Sequence, residues 1–218
     1  MAVSSRRPAL TVWIAWVVAT AVGQAVDAAG LLPGNSESTD GAGVWIWSAL
    51  AALPLAAFQF VVLRWLLNVE RRGAAAWAVA TVLAVVLSQA AYIAWFDVLM
   101  SHVSPAEGFV QDAMFAMPDY LYPLFVGVAQ GVVLAIVLRR TYAAFVWVIA
   151  NPIASAVASH VTAAAMTASG INFQTAPGGY AVPELLLWGT YGAVTGAALV
   201  ALTRPRALPA TAPAPAAR

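Results

Sequence analysis

The sequence predicts an all-α, polytopic membrane protein: a bundle of six transmembrane helices, arranged as three tandem hairpins with both termini on the cytoplasmic side. Three observations predict it. The first is composition. The 218 residues are 62% hydrophobic and 9% charged, with a mean hydropathy of +0.83. Soluble domains carry roughly 25% charged residues, and a wetted surface cannot be built from so few. The second is the spacing of six apolar stretches, each close to the roughly 20 residues that cross about 30 Å of hydrocarbon. The third is charge placement, because all ten basic residues are arginine and all fall on one side of a six-span chain.

The spans read 9–30, 44–67, 74–99, 119–138, 141–168 and 183–203. Pro33-Gly34-Asn35-Ser36 separates the first two and Pro177-Gly178-Gly179 the last two, and both are turn chemistry rather than domain linkers. Arg71 and Arg72 stand between the second and third spans, Arg139 and Arg140 between the fourth and fifth. Before the fourth, Ser104-Pro105-Ala106-Glu107 reads as a capping box with proline at the first helical position. Phe109, Val110, Ala113, Met114 and Met117 then share one face, which predicts a short helix lying on the outer membrane surface. Glu184 after Pro183 suits the first turn of the sixth helix. Residues 1–204 thus form a single transmembrane domain. Residues 205–218, rich in Ala and Pro, are expected to be a disordered cytoplasmic tail.

Orientation follows from the arginines. Arg6 and Arg7 precede the first span, Arg64, Arg71 and Arg72 lie at the end of the second, and Arg204, Arg206 and Arg218 follow the sixth. By the positive-inside rule their side is the cytoplasm. Of the acids, only Glu70 joins them. The tryptophans cluster towards span ends, Trp13, Trp16, Trp65, Trp77 and Trp147 inside and Trp45, Trp47, Trp95 and Trp188 outside, which reads as an interfacial belt. Ser5-Arg6-Arg7 is a poor twin-arginine signal, and the weak cleavage site at Val26-Asp27-Ala28 would remove one of three equivalent helices. An uncleaved first span is expected.

Those equivalents are the most informative feature. Odd helices carry Trp16-Val17-Val18-Ala19-Thr20, Trp77-Ala78-Val79-Ala80-Thr81 and Trp147-Val148-Ile149-Ala150-Asn151. Even helices carry Gln59, Gln130 and Thr195 in matching contexts, with Gly127/Gly131 and Gly192/Gly196 as small-xxx-small pairs that let backbones approach. At 1.5 Å per residue the polar residues Thr20, Gln59, Thr81, Gln130, Asn151 and Thr195 fall at one depth, roughly 12–15 Å inside the membrane. Lipid offers such groups no partners. They are expected to face inward as one layer, either a dry packing network or the lining of a cavity. Asn151, with two donors and an acceptor, is the expected hub, and Pro152 should free a carbonyl one turn back.

The pattern W-x-x-A-T/N paired with G-x-x-Q-x-x-V-L-x-R, ending in a Y-G-x-x-T-G-x-x-L helix, resembles an uncharacterised group of small, Trp-rich, multi-spanning bacterial membrane proteins. The resemblance spans roughly residues 12–204 and implies a fold and a bacterial inner-membrane location, but no activity. Phe60 departs from it where the other even helices have glycine, and Arg64 follows Gln59 more closely than Arg139 follows Gln130. Three two-helix units also resemble mitochondrial carriers in outline, but the carriers' P-x-D/E-x-x-K/R signature is missing.

Chemistry-bearing groups are few. His160 is the only histidine within a span, accompanied by Ser155, Ser159 and Thr162. An intramembrane ionisable group is a candidate ligand or cofactor contact, haem or chlorin ligation and proton relay included; a hydrogen-bonded packing residue is the plainer reading. The outer acids Asp27, Asp97, Glu107, Asp112, Asp119 and Glu184 could do acid–base work, or simply solvate that face. The absence of cysteine excludes disulfides and thiolate chemistry. The absence of lysine excludes a retinal Schiff base. No phosphate-binding loop, dinucleotide fingerprint, nucleophile elbow or nucleic-acid stripe occurs. No cofactor or metal is named by the sequence. The expected partners are the lipid bilayer and other membrane subunits or further copies of the chain, without nucleic acid. The leading functional expectation is a non-enzymatic accessory or scaffold subunit packing against partner helices. The alternative is a small-solute transporter or channel using the Gln59/Gln130/Thr195 layer, with a membrane enzyme built on His160 and outer acids third.

Overall fold

The computed structural model describes residues 8–28, 42–102, 108–170 and 181–204. They form six helices: α1 (Ala9–Ala28), α2 (Ala42–Trp65), α3 (Arg71–His102), α4 (Gly108–Leu138), α5 (Thr141–Ser169) and α6 (Ala181–Thr203). Each contains a stretch long and apolar enough to cross a membrane. The chain is a multi-pass helical bundle. The tail from residue 205 and the capping box at 104–107 lie outside the described residues.

The helix bounds depart from the sequence reading at one place that matters. The surface helix expected before the fourth span is not separate, because α4 runs unbroken from Gly108 to Leu138. A helix keeps its backbone bonds across the membrane boundary, so an amphipathic stretch and an apolar one can share one rod. Prolines inside spans are also tolerated: Pro54 lies within α2 and Pro152 within α5.

The short turns on the arginine side are set by left-handed residues. Asn68 (φ 54°) turns α2 into α3, and Arg139 (φ 53°) turns α4 into α5. Asparagine takes that conformation readily, whereas for arginine it is uncommon. At the other end of α5, Gly170 (φ 60°) is the C-cap.

Each helix packs on its neighbours in chain order, and α6 returns to pack on α1, so the six form a closed ring. Buried residues recur at matching positions around it. Leu63, Leu134 and Leu199 form a tier nearest the arginines, and Trp16, Trp77 and Trp147 the next. Thr20, Thr81 and Asn151, each 0% exposed, lie one turn further out. The remaining faces are apolar and exposed, as Val18, Leu83, Ile149 and Ile153 show. In a membrane such a face meets acyl chains at no cost.

Candidate functional site: a tryptophan and amide core

The site is built from the odd helices inward. Trp16, Trp77 and Trp147 are each 1% exposed and meet at the centre. Their ring centroids are 5.8, 5.9 and 5.3 Å apart, all edge-to-face, the geometry that sets a ring's positive edge on its neighbour's negative face. An indole in such a place must bond its N–H. Each does so to the even helix paired with its own. Trp77 Nε1 donates to Gln59 Oε1 at 2.9 Å, Trp147 Nε1 to Gln130 Oε1 at 3.1 Å and Trp16 Nε1 to Thr195 Oγ1 at 3.1 Å. The first two pairs are joined by short turns; the third joins α1 to α6, at opposite ends of the chain.

Gln130 is the hub. While its oxygen accepts from Trp147, its Nε2 donates to Gln59 Oε1 (3.1 Å) and to Thr81 Oγ1 (2.8 Å). Thr81 then donates to the Trp77 carbonyl at 2.9 Å. Asn151, the hub expected from the sequence, stands apart from this cluster. Its Nδ2 donates to the Trp147 carbonyl (2.7 Å), and its oxygen accepts from the Tyr191 hydroxyl. The reason is positional: Asn151 lies a turn outward of Trp147, opposite Tyr191 rather than opposite the glutamines. The carbonyl it uses is that of Trp147, not one freed by Pro152. Thr195 bonds only Trp16 and its own helix backbone. Thr20 sits buried with no hydrogen-bond partner for its hydroxyl. The six polar residues therefore form separate clusters with indoles between them, rather than one continuous layer.

The glycines bring the paired helices together. A Cβ on Gly127 would lie 3.0 Å from Asn151 Cβ, and one on Gly131 3.1 Å from the Ala144 carbonyl oxygen. On α6, a Cβ at Gly192 would meet Thr20 Cβ at 3.0 Å, and at Gly196 Trp16 Cδ1 at 3.1 Å. The tightest approach involves a glycine that the sequence reading passed over: a Cβ on Gly23 would stand 2.6 Å from Leu55 Cα.

Towards the end remote from the arginines, Tyr122, Trp188 and Tyr191 continue the core as edge-to-face pairs at 5.4 Å. Gln24 Nε2 donates to the Tyr122 hydroxyl at 2.7 Å, and Trp188 Nε1 donates to Glu184 Oε2 at 2.7 Å. His160 lies elsewhere, exposed on α5, with Nδ1 2.7 Å from the Ala156 carbonyl of its own helix. Among the described residues, no three His, Cys, Asp or Glu side chains come together as a metal site.

The belt reading of the tryptophans fails for Trp16, Trp77 and Trp147, which are buried at the centre, whereas Trp65, Trp45 and Trp95 are exposed. A signal for the correct placement was present. Each of the three stands four residues before Thr20, Thr81 or Asn151 and so shares its helical face. If the polar group turns inward, the indole must too.

The site and fold together define a multi-pass membrane protein whose centre is filled by side chains bonded to one another. No protein-family model, curated protein or solved structure matches the chain.

Proposed function

We infer that the chain is a non-enzymatic membrane scaffold or accessory subunit of the bacterial inner membrane, built as three repeated helix pairs, with its arginine-rich end in the cytoplasm. One observation carries the reading. Gln59, Gln130 and Thr195 are at most 3% exposed; the Gln59 and Gln130 oxygens and the Thr195 hydroxyl accept from tryptophan indoles, and Gln130 Nε2 donates to Gln59 and Thr81. A transport pathway would need these groups to face water. The linings of four depressions on the described surface include none of them.

A second feature supports the docking role. α3, α4 and α5 are 32, 31 and 29 residues long, against 20, 24 and 23 for α1, α2 and α6. Near the C-terminal end of α5, Ala163, Ala164, Ala165 and Ala168 are exposed. Small residues are what a second helix needs in order to approach closely in lipid.

Single cysteines in this cysteine-free chain test both claims. Thr20→Cys should resist a water-soluble thiol reagent from either side of sealed vesicles; labelling there would reveal a wet path and favour the transporter. Cysteines at Arg72 and Arg140 should label only from the cytoplasmic face, and labelling from outside would invert the orientation. A photo-crosslinker at Ala164 should give one discrete adduct with another membrane protein in native membranes, and adducts with lipid alone would remove the docking role.

A further inference from the structure

At the arginine-rich end, two depressions of about 390 and 420 Å³ share Arg204 in their lining, together with Ala9 and Val200. The larger is a groove on the lipid-facing side, between the first turns of α1 and the last turns of α6. Leu10 and Trp13 form one wall, Ala197 and Ala201 the other. The alanines give it depth. Trp13 is pinned as a wall because its indole N–H donates to the Ala193 carbonyl at 2.8 Å. Leu10 is 64% exposed, so the groove opens to what surrounds the bundle. The smaller depression opens at the end of the bundle, where Asn68 and Thr203 join the lining. Arg204, just past the end of α6, stands between the apolar slot and this end depression, whose lining is mostly apolar apart from Asn68, Thr203 and Arg204 itself. No described carboxylate pairs with it.

We propose that this groove is a binding site for one anionic phospholipid, with an acyl chain lying between Leu10, Trp13, Ala197 and Ala201 and the phosphate on Arg204. Charge complementarity selects the occupant. The slot is apolar along its length and cationic at one end, the polarity of a phospholipid entering from its own leaflet. Arg64, Arg71, Arg72 and Arg139 are exposed on the same rim, opposed there among the described residues by Glu70 alone. Arginines on the cytoplasmic side attract anionic headgroups, and pockets between helices there hold them. Guanidinium also matches phosphate geometrically, through paired N–H donors. This inference stands independently of the scaffold reading.

Native mass spectrometry of the full chain in mild detergent, titrated with phosphatidylglycerol or phosphatidylcholine, tests it. The wild type should retain one phosphatidylglycerol at least tenfold more tightly than phosphatidylcholine. Arg204→Gln should reduce that preference to less than threefold, whereas Arg139→Gln, an equal charge change outside the groove, should leave it intact. Ala201→Leu, which fills the slot, should weaken both lipids. Millimolar inorganic phosphate should not displace the lipid. Wild-type preference in Arg204→Gln, or an equal loss in Arg139→Gln, would overturn the site in favour of diffuse rim charge. Displacement by phosphate would make it a free-anion site. A dimer whose formation excludes lipid would assign the groove to a second copy.

Discussion

Gln130→Leu is the substitution that most directly interrogates the core. Leucine is close to glutamine in volume, so it leaves little cavity, and the change isolates hydrogen bonding. Three contacts are lost: acceptance from Trp147 and donation to Gln59 and Thr81. Interhelical bonds in membranes average about 0.6 kcal/mol and reach about 1.7, so three amount to roughly 2 kcal/mol, with a ceiling near 5. The Trp147 N–H is also left without its acceptor in a buried site, where an unpaired donor costs about 1–3 kcal/mol. We expect a loss of about 2–4 kcal/mol. Gln59→Leu removes two contacts, those with Trp77 and Gln130, and Thr195→Val removes one between helices, that with Trp16. The order of damage should be Gln130→Leu, then Gln59→Leu, then Thr195→Val. Unfolding in mixed micelles of increasing dodecyl sulfate content, followed by tryptophan fluorescence, measures it, since three of the reporting indoles sit at the site. A Gln130→Leu variant within about 0.5 kcal/mol of wild type, or a reversed order, would refute the hub.

Two further predictions use the same assay. Thr20→Val should be neutral or stabilising, because it removes a buried hydroxyl that has no partner, whereas Thr81→Val should cost about 1 kcal/mol by stripping Gln130 of an acceptor; equal effects would show that Thr20 is bonded after all. Gly23→Ala should destabilise strongly, since its Cβ would press on the Leu55 backbone at 2.6 Å, while Gly189→Ala, with its nearest neighbour at 4.0 Å, should be neutral or gain up to about 1 kcal/mol of helix propensity.

The number and type of the helices were legible because the membrane imposes them: each span needs its length of apolar residues whatever the protein does. The inward facing of Gln59 and Gln130 was legible for the same reason, since an amide has nowhere else to go. What could not be read was which partner each would find. Asn151 and Gln130 offer the same functional groups, and only the helix register puts Tyr191 opposite one and Gln59 and Thr81 opposite the other. Tryptophan was misread because its ring satisfies two environments. It suits an interface, as at Trp65, and it suits a core that supplies one acceptor, as at Trp77. Gly23 was missed although Ala19 and Gly23 form a small-xxx-small pair on α1, because such pairs were sought only on the even helices.

The pairing in space also differs from the pairing along the sequence. The indole hydrogen bonds of Trp77, Trp147 and Trp16 join each even helix to the odd helix that follows it, α2 to α3 and α4 to α5, and the series is completed by α6 with α1. That last pair has no turn to hold it, so its contacts alone must offset the entropy of bringing the two ends of the chain together. Glycine is not what distinguishes it, because α4 carries Gly127 and Gly131 where α6 carries Gly192 and Gly196. The additional element is Trp13, whose N–H reaches the Ala193 carbonyl; Ala74 and Ala144 occupy the corresponding positions in the tethered pairs. Trp13 thus adds a bond where the covalent connection is missing, and the same indole walls the groove that ends at Arg204. A ring closed in this way has committed the oxygens of Gln59, Gln130 and Thr195 to holding itself together. On the scaffold reading proposed above, the surfaces open to a partner are the exposed alanines of α5, the arginine rim and the groove along the α1–α6 seam.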